Sequence, residues 1–162
     1  MQLREIEIIS GGQTGVDRAA LDFAMQNGIK HGGFCPKGRK AEDGPIPPKY
    51  HLIEMESTSY PARTRRNIIS SDGTLILYYH KLDTGSLLTK KLCAELNKPV
   101  MQFSLIQESD ILVLNHWIDT FRIKSLNVAG PRESFSPGIY NDTIRFLNAL
   151  LSVYNDKPGI AR

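Results

Sequence analysis

The chain has 162 residues, with 20 lysines and arginines against 17 aspartates and glutamates, a net charge of +3. So small an excess excludes the concentrated basic stripe of a non-specific nucleic-acid binder. Two distant cysteines, Cys35 and Cys93, offer neither a disulfide framework nor a CxxC metal site, and no apolar run is long enough for a signal peptide or a membrane span. These bounds fit one cytoplasmic domain, residues 1–162, that buries roughly two-thirds of its unfolded surface.

In chain order, "EIEIIS" is a β-branched run and reads as a buried strand. Past the glycines of "GGQTG" the period changes, and Val16, Ala19, Ala20, Phe23 and Ala24 recur at helical spacing up to a stop at Asn27-Gly28. An irregular stretch, "GGFCPKGRKAEDGPIPPK", follows; so long a connection is often functional. "YHLIEM" reads as a strand and "SYPARTRRNIISSDG" as a helix with Pro61 in its first turn. "TLILYY" is apolar throughout, as a central parallel strand covered on both faces should be. In "TGSLLTKKLCAELNKP", Ser86 is expected to cap a helix whose Leu88, Leu92 and Leu96 face inward, and "PVMQF" is the next strand. A helix carrying Ile111, Leu114, Trp117, Ile118 and Phe121, the strand "SLNVAG", and a long amphipathic helix through Tyr140, Ile144, Leu147, Leu151 and Tyr154 complete the chain. Strand and helix alternate, so the fold class is α/β, a Rossmann-like three-layer sandwich with a mostly parallel sheet.

The chemistry-bearing residues gather where strands end and helices begin, the place where open α/β sheets bind ligands. Gly11, Gly12 and Gly15 let main-chain N–H groups approach an anion at a helix N-terminus. The motif is neither GxGxxG nor GxxxxGK[ST], so it reads either as a ligand cradle or as a tight turn. In "CPKGRKAEDG", Lys37 and Arg39 can grip a phosphate and Glu42 and Asp43 a ribose or pterin edge; the alternative is a solvated loop of balanced charges. Cys35, before a proline, reads as a buried small residue rather than a metal ligand, and Cys93 as core. In "NVAGPRESFSPGIY", Arg132 and Ser134 can donate to an oxyanion. Arg63 and Asn67 share a helix face, and Arg65 points elsewhere. The four histidines show no metal-ligand spacing and no GxSxG elbow is present, so no catalytic or structural metal is expected.

Taken together, "GGQTGVDRAALDFA", "GFCPKGRKAEDGPIP", "ARTRRN" with "SDGTLIL", "TGSLLTKK" and "LNVAGPRESFSPGIY" resemble the molybdenum-cofactor carrier proteins over nearly the whole chain. That family belongs to a Rossmann-like group with the DNA-processing protein A and the phosphoribohydrolases once called lysine decarboxylase-like. In those relatives a GxR–S strand end precedes the SGG–GxD strand end. Here "AGPRES" comes last and "SGGQTGVD" first, so the chain resembles a circular permutation whose two loops share one ligand. The resemblance implies that Gly11, Gly12, Thr14 and Gly15 contact a phosphate and that Asp17 orients the loop or a ligand hydroxyl. It implies an anion pocket completed by Gly130, Arg132 and Ser134, with Lys37, Arg39, Thr84 and Gly85 at its rim. The implied ligand is the molybdenum cofactor, a pterin with a dithiolene-bound metal and a terminal phosphate, passed to molybdoenzymes by a homo-oligomer. The alternative is a nucleotide-processing enzyme that hydrolyses an N-glycosidic bond, with Asp17, Glu42, Asp43 or Glu133 as acid or base. The PGGxGTxxE signature of the phosphoribohydrolases has no counterpart in this sequence.

Overall fold

The computed structural model describes residues 3–107 and 110–155. A 3-10 turn over Leu3–Glu5 leads into β1 (Glu7–Ile9), and α1 (Val16–Gln26) follows the glycine loop. Next come β2 (His31–Gly32), β3 (Phe34–Cys35), the hairpin β4 (Lys40–Ala41) and β5 (Gly44–Pro45), and β6 (Ile53–Glu54). The remainder alternates: α2 (Tyr60–Ile69), β7 (Gly73–Tyr78), α3 (Thr84–Glu95), β8 (Val100–Ser104), α4 (Ile111–Thr120), β9 (Ser125–Ala129) and α5 (Ile139–Asn155).

The main sheet has the order β2-β1-β9-β7-β8, and every neighbouring pair is parallel. β7 is buried along five of its six residues, as its unbroken apolar run requires. Leu75 and Leu77 enter a large core with Ala20 and Phe23 of α1, Leu114 and Trp117 of α4, and Leu147 and Leu151 of α5. On the other face Ile68 of α2 packs with Leu92 and Cys93 of α3, flanked by Leu88, Leu96 and Val100. Helices on both faces make the Rossmann-like three-layer sandwich that the alternation predicts. Cys35 lies in a third, smaller core with Leu21, Ile46, Tyr50 and Leu52, which fastens the irregular segment onto α1.

Three readings need correction. The "YHLIEM" run yields a strand of only two residues, β6, which pairs with β3 in a separate two-stranded sheet, and a strand not expected from the sequence, His31–Gly32, lies beside β1. So short a strand leaves almost no period for the sequence to display. The cap of α3 is Asp83, whose carboxylate accepts the Ser86 N–H at 2.9 Å, and Ser86 lies one turn inside the helix. Phe121 lies beyond the last turn of α4, half exposed, with its ring 5.9 Å from that of Trp117.

Candidate functional site

From β1 the chain crosses by α1 to one edge of the sheet, and from β7 it crosses by α3 to the other. β9 fills the gap between them. The carboxyl ends of these three strands therefore open on the switch point where doubly wound sheets bind ligands. A cleft of about 290 Å³ lies there, close to the lower end of the volumes typical of small-molecule sites. Gly11 lines it from the β1 loop, Asp83 from the β7 loop with Thr84 and Gly85 from the first turn of α3, and Gly130 and Arg132 from the β9 loop.

The glycines shape this cleft by close approach. A Cβ on Gly11 would land 1.3 Å from Nη1 of Arg63, because that guanidinium lies directly across the β1 loop. Gly15 stands at φ 77°, and a Cβ there would come within 2.4 Å of the Pro131 carbonyl oxygen, so the two loops meet main chain to main chain. The Val16 N–H donates to that same oxygen at 3.3 Å. β1 and β9 pair from Glu7↔Ser125 to Ile9↔Asn127, which brings the glycine loop and the "AGPRES" loop side by side as the permuted motif order requires. Gly11 rather than Gly12 faces the cleft; a Cβ on Gly12 would strike Leu52 and Ile46, under the irregular segment.

Asp17 is buried at the start of α1 and forms an ion pair with Arg63 at 3.0 Å. Burial pushes its carboxyl upward, against the pull of Arg63 and of the Gln13 N–H, which donates to it at 3.4 Å. The Arg63 Nε is buried without a partner among the described residues, as is the Ser86 hydroxyl; both residues line the cleft. Such unsatisfied groups are costly unless something meets them. Asn67, one turn after Arg63 on α2, exchanges hydrogen bonds with the main chain of Phe34 through both ends of its amide. Tyr60 and Phe135 add aromatic surface; Phe135 is 42% exposed.

The remaining expected residues divide. Thr14 and Ser134 lie outside the cleft lining but join it through Arg132: both donate to the Glu42 carboxylate that Arg132 approaches, and these four side chains make the rim. The Glu133 N–H donates to the Thr14 hydroxyl at 3.2 Å. Arg132 is more than half exposed, with its Nε 3.5 Å from Glu42. Arg39 leaves the rim altogether. Its guanidinium donates to the carbonyls of Ile46, Pro47, Tyr50 and Leu52, at 2.8–3.4 Å, and so it organises the loop rather than the cleft. Lys37 is exposed on a short turn whose main chain bonds to Ser57, away from the cleft lining. The sequence reading passed over Tyr60, Asp83 and Phe135 as site residues. Aspartate directly before "TGS" is a legible N-cap signal that points at Asp83, whereas nothing local marks the other two.

No group of three or more His, Cys, Asp and Glu side chains among the described residues is placed to hold a metal ion, and none of their helices is long and apolar enough to cross a membrane.

Fold and cleft together define a Rossmann-like protein with a cleft at the sheet's switch point, flanked by two glycine-bearing loops. A family model described as the circularly permutated YpsA SLOG family matches residues 8–151, and the chain belongs to that family. It is also similar to the crystal structure of a "Putative molybdenum carrier protein" from Syntrophus aciditrophicus SB. Identity to that protein is 44%, over 90% of this chain and 94% of the other, with a TM-score of 0.87. No functionally curated protein matches.

Proposed function

We propose that this protein binds a planar cofactor bearing a phosphate and carries it without transforming it, and that the cofactor is the molybdenum cofactor. The observation that carries the reading is the convergence of Gly11, Gly130 and Arg132 on one cleft at the sheet's switch point. The name of the Syntrophus protein supports the choice of cofactor.

The donors suit a pterin phosphate. The rim side chains of Arg132, Ser134 and Thr14 match a phosphate, which favours forked cationic and hydroxyl donors. Tyr60 and Phe135 add aromatic surface for a heterocycle, and the buried Arg63 Nε and Ser86 hydroxyl, unpartnered among the described residues, lie on residues of the same cleft. When bound, the cofactor supplies a dithiolene-held molybdenum centre. Cys35 and Cys93 are both buried outside the cleft, so the grip falls on the pterin and phosphate rather than on metal–thiolate bonds.

The acids that a glycosidic-bond hydrolase would draw on are otherwise engaged, which supports carriage over catalysis. Asp17 pairs with Arg63, and Asp43 takes both ends of the Arg18 guanidinium. Glu42 fills the rim, and Glu133 accepts the N–H groups of Gly138 and Tyr140 at the start of α5. In this reading residues 1–162 act as one ligand-binding domain, in the cytoplasm and as a homo-oligomer, with molybdoenzymes as acceptors.

Mass spectrometry of small molecules released from anaerobically purified protein tests the proposal directly, with a pterin phosphate expected. Steady release of free base from nucleoside monophosphates would replace carriage with hydrolysis.

A further inference from the structure

The rim donors converge on a group that already belongs to the chain. Thr14 Oγ1 donates to one oxygen of Glu42, and the Ser134 N–H donates to that same oxygen at 3.2 Å. The Ser134 hydroxyl donates to the second oxygen, and Arg132 Nε lies 3.5 Å from it. Two hydroxyls, a main-chain amide and a guanidinium around two oxygens are the donors a phosphate monoester would take. Burial disfavours the Glu42 charge, but the bonds from Ser134 and Thr14, with Arg132 beside them, outweigh it and hold the carboxyl below its ordinary range.

The carrier of this carboxylate is slight. Glu42 and Asp43 form the turn of a hairpin with only two residue pairs, Lys40↔Pro45 and Ala41↔Gly44. Besides the Glu42 carboxylate, its outward ties are the Arg18–Asp43 bridge, the Glu42 N–H, which donates to the Gln13 side chain at 2.9 Å, Lys40 Nζ 4.9 Å over the Tyr60 ring, and Ala41 against the small core around Cys35. At its base Arg39 fastens the following loop through four carbonyls, so the root is held independently of the contacts made by the tip.

We propose that Thr14, Arg132 and Ser134 form an oxyanion subsite that Glu42 occupies from within the chain, and that a phosphate-bearing ligand enters by expelling it and swinging the 40–45 hairpin outward. This inference rests on the phosphorylated-ligand reading above. A carboxylate and a phosphate are both anions and cannot share one set of donors without repulsion. Exchanging one for the other leaves no rim donor unpaired at either end of the process. Release is the same exchange run backwards, with Glu42 as the returning anion.

Calorimetric titration with AMP and with inorganic phosphate tests it on the parent, Glu42→Ala, Glu42→Gln and the Glu42→Ala/Arg132→Ala double variant. The expected result is AMP binding at least about tenfold tighter in Glu42→Ala, an intermediate gain in Glu42→Gln, and no gain in the double variant. Saturating AMP should also speed amide hydrogen exchange across residues 40–45 of the parent. A parent that binds AMP while Glu42→Ala binds it no tighter overturns the expulsion and leaves the phosphate reading standing. Hairpin amides that AMP leaves unchanged or better protected overturn it equally. Binding of AMP and of inorganic phosphate by neither parent nor Glu42→Ala overturns the oxyanion subsite, while the mass-spectrometric test above decides the carrier reading separately. If Glu42→Ala does not fold, Glu42→Gln and the exchange data on the parent decide the matter.

Discussion

The two flanks of the cleft are built in different ways. Where the β1 and β9 loops meet, backbone touches backbone: Val16 N–H bonds to the Pro131 carbonyl, and the space a Gly15 Cβ would need is taken by that oxygen. Across from it, residues 33–57 have little regular structure and are shaped by polar side chains, with Arg39 bridging four carbonyls and Glu42 tying the hairpin to the rim. A wall made of main chain tolerates no added atom, whereas a wall made of side-chain bonds fails one bond at a time.

That contrast can be broken at its strong end first. Gly15→Ala forces a side chain into a positive φ and onto a carbonyl oxygen, and should cost about 4 kcal/mol or more, in the range reserved for severe lesions. Urea unfolding measures it; a loss near 1 kcal/mol would mean the loops can part. Arg63→Met should cost about 3 kcal/mol at pH 7 by stranding the buried Asp17 charge. Its pH dependence has a definite sign. Asp17 is already raised, so its protonated form is the one the fold prefers, and stability from that preference is lost as pH rises through the folded pKa. Removing Arg63 raises Asp17 further, so the gap between variant and parent should narrow as the pH is lowered. A gap that widens in acid would reverse this account.

On the side-chain wall, Arg39→Ala should cost about 2 kcal/mol, the scale of hydrogen bonds to a charged group, with Arg39→Lys restoring less than half because it lacks the planar fork. Arg132→Ala should leave stability within about 0.5 kcal/mol, as at ordinary surface positions. It should nonetheless weaken binding of a phosphorylated ligand by roughly ten- to a hundredfold if its guanidinium grips the phosphate. Calorimetry on the parent and on the alanine and lysine variants separates the two effects, with partial recovery expected for lysine. The smallest signal is the titration of the latch itself. Glu42 is held below its ordinary value of 4.5, so the stability it lends is present above that pH and fades as pH falls through the lowered value. The Ser134 amide resonance should follow it with a midpoint below 4.5.

The sequence was most legible where a period or a motif order reports on the backbone. The apolar run of β7, the leucines of α3 and the permuted order of the two glycine loops led directly to the sheet, its covered faces and the β1–β9 neighbourhood. It was least legible where a side chain's partner lies far along the chain. Arg39 and Arg132 have the same chemistry in loops of similar composition, yet one is consumed by local carbonyls and the other stands at the rim. Charge spacing carries no information about which carbonyls will come within reach. The Glu42–Ser134 bond spans 92 positions, so the rim and its resident carboxylate become visible only in three dimensions.

The pairing of β1 with β9 has a further consequence, in time rather than in space. Thr14 and Glu133 touch although 119 positions separate them, so this side of the cleft closes only when most of the described chain has come together. Contacts so distant in sequence form late, because the intervening chain must be closed before they are rewarded. A glycine loop, whose own contacts are local, can therefore form before the cleft it lines. Because β9 lies between β1 and β7, the strand that brings the second loop also joins the two halves of the sheet, and the cleft forms with the sheet rather than before it.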